Sequence, residues 1–366
     1  MERSAVALEV TAEQSDLQML DKITHFIHKN FLLLLLTSYA LAGALPQFGL
    51  WLRTLSLGNI NLPGLGQTNF SASLFMLSFL LFNAGLGIQT KELSGLKKKP
   101  QLVLVGFLVN LLLPVLLIFV LRGALGTWHD ADELQNLLVG LALIAAMPIA
   151  GSSAAWAQNA NGNLSLSLGL VLASTILSPL TTPLVLHAYG NITHGDYSED
   201  LHELASQGTN AFLCLTVVFP SLLGMLTHYI LKDEKTARLK PVMKLINFIF
   251  LLTLNYSNAS VSLPGVFSNP DWDLLLFVLL CTSAVCSIAF LAGWAISKLF
   301  KTDLSDRASL MFSLGMNNNG TGLVLASAAL ADHPAVLLPM IFYTLAQQVI
   351  AAVVDAKFFK AEAKTT

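Results

Sequence analysis

The chain has 366 residues, of which 54% are hydrophobic and 11% charged, with a mean hydropathy of +0.66 and a formal net charge of −2. A soluble domain carries roughly 25% charged residues, so this composition reads as an all-α integral membrane protein. A net charge so close to zero gives no electrostatic attraction for nucleic acid.

Residues 1–29 form a polar N-terminal segment with no positive stretch, short apolar core and small-residue cleavage site, so no cleaved signal peptide is expected. Leu17, Leu20, Ile23, Phe26 and Ile27, set beside Asp16, Asp21 and Lys22, suit either a surface amphipathic helix or a frayed tail. Apolar runs long enough to cross a core of about 30 Å follow near 31–50, 69–88, 101–121, 134–158, 163–188, 208–231, 241–259, 273–297, 308–331 and 334–356. About ten transmembrane helices are therefore predicted, the seventh being cut short by Asn255 and Asn258.

Loop charges orient these spans, because Lys and Arg gather on the cytoplasmic side of short loops. Lys91, Lys97, Lys98 and Lys99 follow span two, Lys232, Lys235, Arg238 and Lys240 follow span six, and Lys298, Lys301 and Arg307 follow span eight. The alternate loops carry Asp130, Asp132 and Glu133, then Asp196, Glu199, Asp200 and Glu203, then Asp271 and Asp273. Arg53 and Arg122 are the only cations on that side. Both termini are then cytoplasmic, in the inner (plasma) membrane. The expected organisation is a cytoplasmic segment 1–29, a five-helix repeat 30–188, an external loop 189–207, a second and inverted five-helix repeat 208–357, and a cytoplasmic tail 358–366.

Each repeat carries an interrupted fourth helix. Pro148, Gly151, Ser152 and Ser153 break span four, and Gly315, Asn317, Asn318, Asn319 and Gly320 break span nine. Two such breaks at matching positions bring four half-helix ends together, with N–H groups for anions and carbonyls for cations. Amides at Asn110, Asn317, Asn318 and Gln347 are rare at this depth, and each is as readily structural as functional. No Asp or Glu lies at mid-span, so any cation site must be built from amides, hydroxyls and carbonyls. Cys214, Cys281 and Cys286 read as packing residues, and no His-Glu-x-x-His or Gly-x-Ser-x-Gly motif supports an enzyme.

The segments Asn83-Ala-Gly-Leu-Gly-Ile-Gln-Thr-Lys-Glu-Leu, Met147-Pro through Ser178-Pro-Leu-Thr-Thr-Pro, and Gly315-Met-Asn-Asn-Asn-Gly resemble the bile acid/sodium symporter family over about residues 31–357. The resemblance implies a core domain of spans three to five and eight to ten, with crossing, discontinuous spans four and nine. Spans one, two, six and seven would form a panel domain moving against it. One sodium site then falls on Ser153, Ala154, Ser167, Val171 and Ser313. The other falls on Asn110, Ser313, Leu314, Met316 and Asn317, with Leu314 and Met316 offering carbonyls. The family carries a glutamate at the position of Ser313, and an Asn and a Thr at Ala154 and Val171, so the first site is weakened and fewer than two sodium ions are expected. Substrate contacts fall on Gly151, Ser152, Asn318, Asn319 and Gln347.

The expected function is secondary active transport of a small organic, anionic solute with Na⁺ as the coupling ion. The alternatives are a sodium-independent carrier on the same fold and a membrane receptor that binds solute without moving it.

Overall fold

The computed structural model of the chain describes residues 19, 22–24, 26–27, 30–62, 66–88, 95, 99–126, 128–206, 208–330 and 332–360. The surface helix expected within residues 1–29, the Lys91, Lys97 and Lys98 of the second loop, and the end of the tail lie largely outside them. Among the described residues five helices are long and apolar enough to cross a membrane, and a sixth crossing is available if one bent pair counts as a single span. The chain is thus a multi-pass, all-helical membrane protein with one small hairpin.

Helix α1 spans Phe31–Ala44 and meets α2, Gln47–Thr54, at 91°. Strands β1, Ser56–Leu62, and β2, Gly66–Ser71, pair antiparallel, a hairpin where only a loop was expected. There follow α3, Ala72–Leu86, and α4, Pro100–Leu125. The interrupted pair is α5, Ala131–Ala146, and α6, Ser152–Asn159. Helix α7 runs Leu164–Gly190, and the segment after it holds a helix of its own, α8, Asp196–Ser206.

The polar residues of the loops determine where helices begin. Asp130 accepts from the N–H groups of Asp132 and Glu133, and Asn163 from Leu166. Asp271 accepts from Leu274 at the start of α11, Trp272–Leu299, and Asp303 from Asp306 at the start of α12, Leu304–Gly315. Such caps satisfy N–H groups that a helix leaves free.

A single helical stretch, Thr209–Ala259, covers two of the expected spans. We label it α9; it carries a π-turn at Cys214–Val218 and non-helical angles at Lys232 (φ 61°, ψ 171°). Its contacts show that the chain reverses at Lys232. A straight helix would hold Ser221 and Asn247 about 39 Å apart, yet both touch one turn of α3. The Ser221 carbonyl lies against Gly85, and Asn83 Nδ2 donates to Asn247 Oδ1 at 2.9 Å. Leu77 and Leu81 pack with Leu213 and Val217, and Leu86 meets His228, so α3 runs parallel to the first half of α9. Phe79 against Phe250 makes the second half antiparallel. The end of α3 and the Lys232 turn therefore share one end of the molecule, as the lysine-rich loops require.

Asn255 is carried inside α9, which ends one residue after Asn258, and each amide has a helix to answer it. Asn255 Oδ1 accepts from the Tyr39 hydroxyl at 3.2 Å, and Asn258 Oδ1 from Ser327 Oγ at 3.3 Å. After α10, Leu263–Ser268, the chain continues through α11, α12, α13 (Asn319–Ala329) and α14 (Leu337–Val354), the last extended by a π-turn over Asp355–Lys360. Helix α3 packs on α9, which also holds α1 and α2; α11 packs on α12 and α14, and α7 on α4 and α5.

A candidate transport site where two broken helices cross

Pro148 cannot donate a helix hydrogen bond, and the chain between α5 and α6 is extended. The segment between α12 and α13 is extended too, at Met316–Asn318. These two stretches pair with each other. Ile149 and Asn317 form an antiparallel bridge, with Ala150 N–H donating to the Met316 carbonyl at 2.9 Å and Asn318 N–H to the Pro148 carbonyl at 2.8 Å.

Backbone groups freed in a low-dielectric interior cost several kcal/mol unless paired, and the remaining ones are answered by side chains. Ser174 Oγ accepts from Ile149 N–H at 3.0 Å, and Thr182 Oγ1 donates to the Ala146 carbonyl at 2.6 Å. Gln347 Oε1 accepts from Asn317 N–H at 3.2 Å and from Asn319 Nδ2 at 3.3 Å. Asn317 Nδ2 donates to the Ile144 carbonyl at 3.0 Å, while its Oδ1 accepts from Asn110 Nδ2 at 3.3 Å. The Cys286 thiol donates to the Gly315 carbonyl at 3.6 Å. Beside the crossing lies a cavity of about 10 Å³ lined by Asn110, Pro148, Ser174 and Thr181, near the minimum for one water.

The crossing thus gathers Asn110, Met316, Asn317, Asn318, Asn319 and Gln347. Asn318 caps α13 by accepting from Thr321 N–H at 3.4 Å, and Asn319 is turned inward to Gln347. Gly151 and Ser152 are exposed at the start of α6, on the side facing α3, where Ala84 lies nearest to Gly151. Leu314 is buried with Leu310, Ile149 and Leu170.

Ser153, Ser167 and Ser313 are fully buried, and none of their hydroxyls has a hydrogen-bond partner among the described residues. They belong to α6, α7 and α12, which pack on one another. Ala154 and Val171 lie in apolar clusters, Ala154 with Ile88, Leu168 and Leu172, and Val171 with Leu166 and Leu170. Neutral hydroxyl and carbonyl oxygens match a hard monovalent cation in kind; they lack the carboxylate that would balance its charge.

Three features were not visible in the sequence. Asp306, only 1% exposed, joins three elements, accepting from Asn163 Nδ2 at 2.8 Å and pairing with Lys99, whose ammonium this carboxylate holds above its usual range. Trp156 Nε1 donates to Gln348 Oε1 at 3.3 Å and stacks on Phe312. Arg53 donates to the Ser327 carbonyl. Asp306 and Arg53 read as ordinary loop charges, and only their partners, 143 to 274 residues away, give them roles.

Comparison with known proteins places the chain among membrane transporters. The model of the sodium bile acid symporter family matches residues 74–269, which include α5, α6 and α7 whole. The chain is 28% identical over 283 residues to the uncharacterized protein YbaS of Bacillus subtilis, covering 76% of this chain and 85% of that one. It is 24% identical over 294 residues to the uncharacterized sodium-dependent transporter YocS of the same organism, covering 79% and 84%. It is 24% identical over 263 residues to the probable sodium/metabolite cotransporter BASS2, chloroplastic, of Oryza sativa subsp. japonica, covering 72% of this chain and 58% of that one. More than half of the chain lies within the family match, and the chain belongs to the sodium bile acid symporter family, whose members are membrane transporters and not enzymes.

Proposed function

We propose that the chain moves a small organic anion through the inner membrane by alternating access, coupled to fewer than two sodium ions. The observation that carries this reading is the backbone bridge between Ile149 and Asn317. It brings the N-terminal ends of α6 and α13 to one level, where helix dipoles and free N–H groups suit an anion, and the C-terminal ends of α5 and α12, whose carbonyls suit a cation. In this reading α4 to α7 and α11 to α14 act as the core, and α1, α3 and α9 as the panel. Solute is held between them near Gly151, Ser152, Asn318, Asn319 and Gln347. Both termini face the cytoplasm, in keeping with the lysine-rich turns after α3 and at Lys232.

Ser153, Ser167 and Ser313 would hold one sodium ion through hydroxyls that otherwise lack partners. Asn110, Ser313, Asn317 and the carbonyls of Leu314 and Met316 would form the second site, which keeps more of its ligands and is the better candidate for the coupled ion. The ion supplies positive charge beside an anionic solute. With neutral ligands throughout, the first site binds weakly. At the second, the Asn110 amide must turn to present its oxygen, which breaks its bond to Asn317 Oδ1.

Uptake of radiolabelled organic anions into proteoliposomes, with and without an inward sodium gradient, tests the reading. Gradient-driven accumulation is the expected result. Equal rates in both conditions would remove the coupling and leave a sodium-independent carrier, the reading that Ser313 itself favours. Binding with no uptake or counterflow would leave only a receptor.

A further inference from the structure

Between α2 and the C-terminal half of α13 the structure closes one end of the cleft with polar groups. Arg53 donates to the Ser327 carbonyl, in the last turn of α13. The same residue's hydroxyl donates to Asn258 Oδ1 at 3.3 Å. Asn258 is fully buried, and its Nδ2 has no partner among the described residues. Leu52, Leu77, Leu254 and Val324, from the same helices and α3, form one apolar cluster.

One charged donor, the Arg53 guanidinium, therefore meets Ser327, and the Asn258 amide holds the same residue's hydroxyl through its oxygen. No carboxylate pairs with Arg53 among the described residues, so its charge is balanced only by the partial negative charge of a helix end. A carboxylate or sulfonate would be a stronger acceptor for the guanidinium than that carbonyl. From Ser327 the same face of α13 continues through Val324 to Gly320, because residues at i, i+4 and i+7 share a helix face. A side chain added at Gly320 would meet only Asn318 Oδ1, at 3.7 Å, so the face ends in open space at the crossing.

We infer that Arg53, Ser327 and Asn258 form an anion-admitting gate at the external mouth of the cleft, in which an incoming carboxylate or sulfonate takes Arg53 from the Ser327 carbonyl and leads to the crossing. The inference deepens the transporter reading and rests on it for the purpose of the passage, but the charge preference of the site can be read without any transport substrate.

The test places one new cysteine, Ser327→Cys or Gly320→Cys, in a full chain whose exposed native Cys214 is replaced by serine, in sealed vesicles with their external face outward. Labelling by anionic sulfonatoethyl and cationic trimethylammonioethyl methanethiosulfonates is followed by mass spectrometry of the intact protein. Rates normalised to a small free thiol should favour the anionic reagent by about tenfold at both positions, the scale of electrostatic focusing in a cleft. Arg53→Gln should abolish that preference and speed both reagents at Ser327→Cys, whereas Arg53→Lys should keep it. An unchanged ratio in Arg53→Gln, or no labelling of either cysteine in any background, overturns the gate. A charge preference that persists in a protein moving no solute in proteoliposomes supports the gate and sinks the transporter reading.

Discussion

At Ser313 a fully buried hydroxyl stands where the family resemblance leads to a carboxylate. A glutamate there would be a buried charge on a helix packed against those of Ser153 and Ser167, costly by several kcal/mol without a counter-ion and favourable with one. Ser313→Glu should therefore unfold at a lower temperature than the parent in potassium buffer and recover in sodium. Sodium at a hundred times its Kd would contribute about 2.7 kcal/mol. Thermal unfolding in matched sodium and potassium salts checks this, and equal rescue by both ions would mean that these three serines are not a sodium site. Thr182 and Thr181 offer a second contrast. Thr182 serves the Ala146 carbonyl of the broken helix, whereas Thr181 bonds within its own helix to Leu177 at 3.2 Å. Thr182→Val should cost about 1–3 kcal/mol by leaving a buried carbonyl unpaired, and Thr181→Val much less. Similar melting temperatures for the two variants would show that the crossing does not depend on side-chain bonds from α7.

Among the elements, closeness of approach separates glycines that the sequence makes look alike. A Cβ at Gly85 would sit 2.0 Å from the Ser221 carbonyl oxygen, and one at Gly224 2.0 Å from that of Phe82, so α3 and α9 touch backbone to backbone. At Gly151 the nearest atom is Ala84 Cβ, at 3.4 Å. Gly85→Ala or Gly224→Ala should push the helices apart and reduce the yield of folded protein, while Gly151→Ala folds normally; size-exclusion profiles in detergent decide it. The contrast also marks what could be read from the chain. Pro148 and the Gly-Asn clusters announced both breaks, since proline and glycine act on their own backbone. The partners that mend the breaks could not be found that way. Ser174 and Thr182 lie 25 and 36 residues from the groups they serve, on a helix crowded with other hydroxyls. The charged stretch after Lys232 reads as a loop yet is helical, because Glu, Lys and Arg are good helix formers and Glu234 sits one turn before Arg238. The all-helical membrane class, by contrast, was legible from composition and apolar runs, although the described residues hold five helices of membrane-crossing length, six with the bent pair, in place of ten separate spans.

For the whole molecule, the proposed motion makes a geometric demand at one contact. Ala84 on α3 and Gly151 at the start of α6 belong to the two bodies that must separate, and their β-carbons would lie 3.4 Å apart. Disulfides hold β-carbons at about 3.5–4.5 Å, so a cysteine pair here is close to the required geometry. The double variant Ala84→Cys, Gly151→Cys should cross-link under mild oxidant, which a shift on non-reducing gels would report. If panel and core slide past each other in every cycle, the cross-linked protein should lose uptake, and reductant should restore it. Each single-cysteine variant, treated with the same oxidant, should keep its uptake. Complete cross-linking with undiminished transport would mean that these bodies stay together throughout the cycle, and the cleft between them would no longer be the route. Loss of uptake that reductant fails to reverse would point to damage at Gly151 itself, which the Gly151→Cys single variant would reproduce without oxidation.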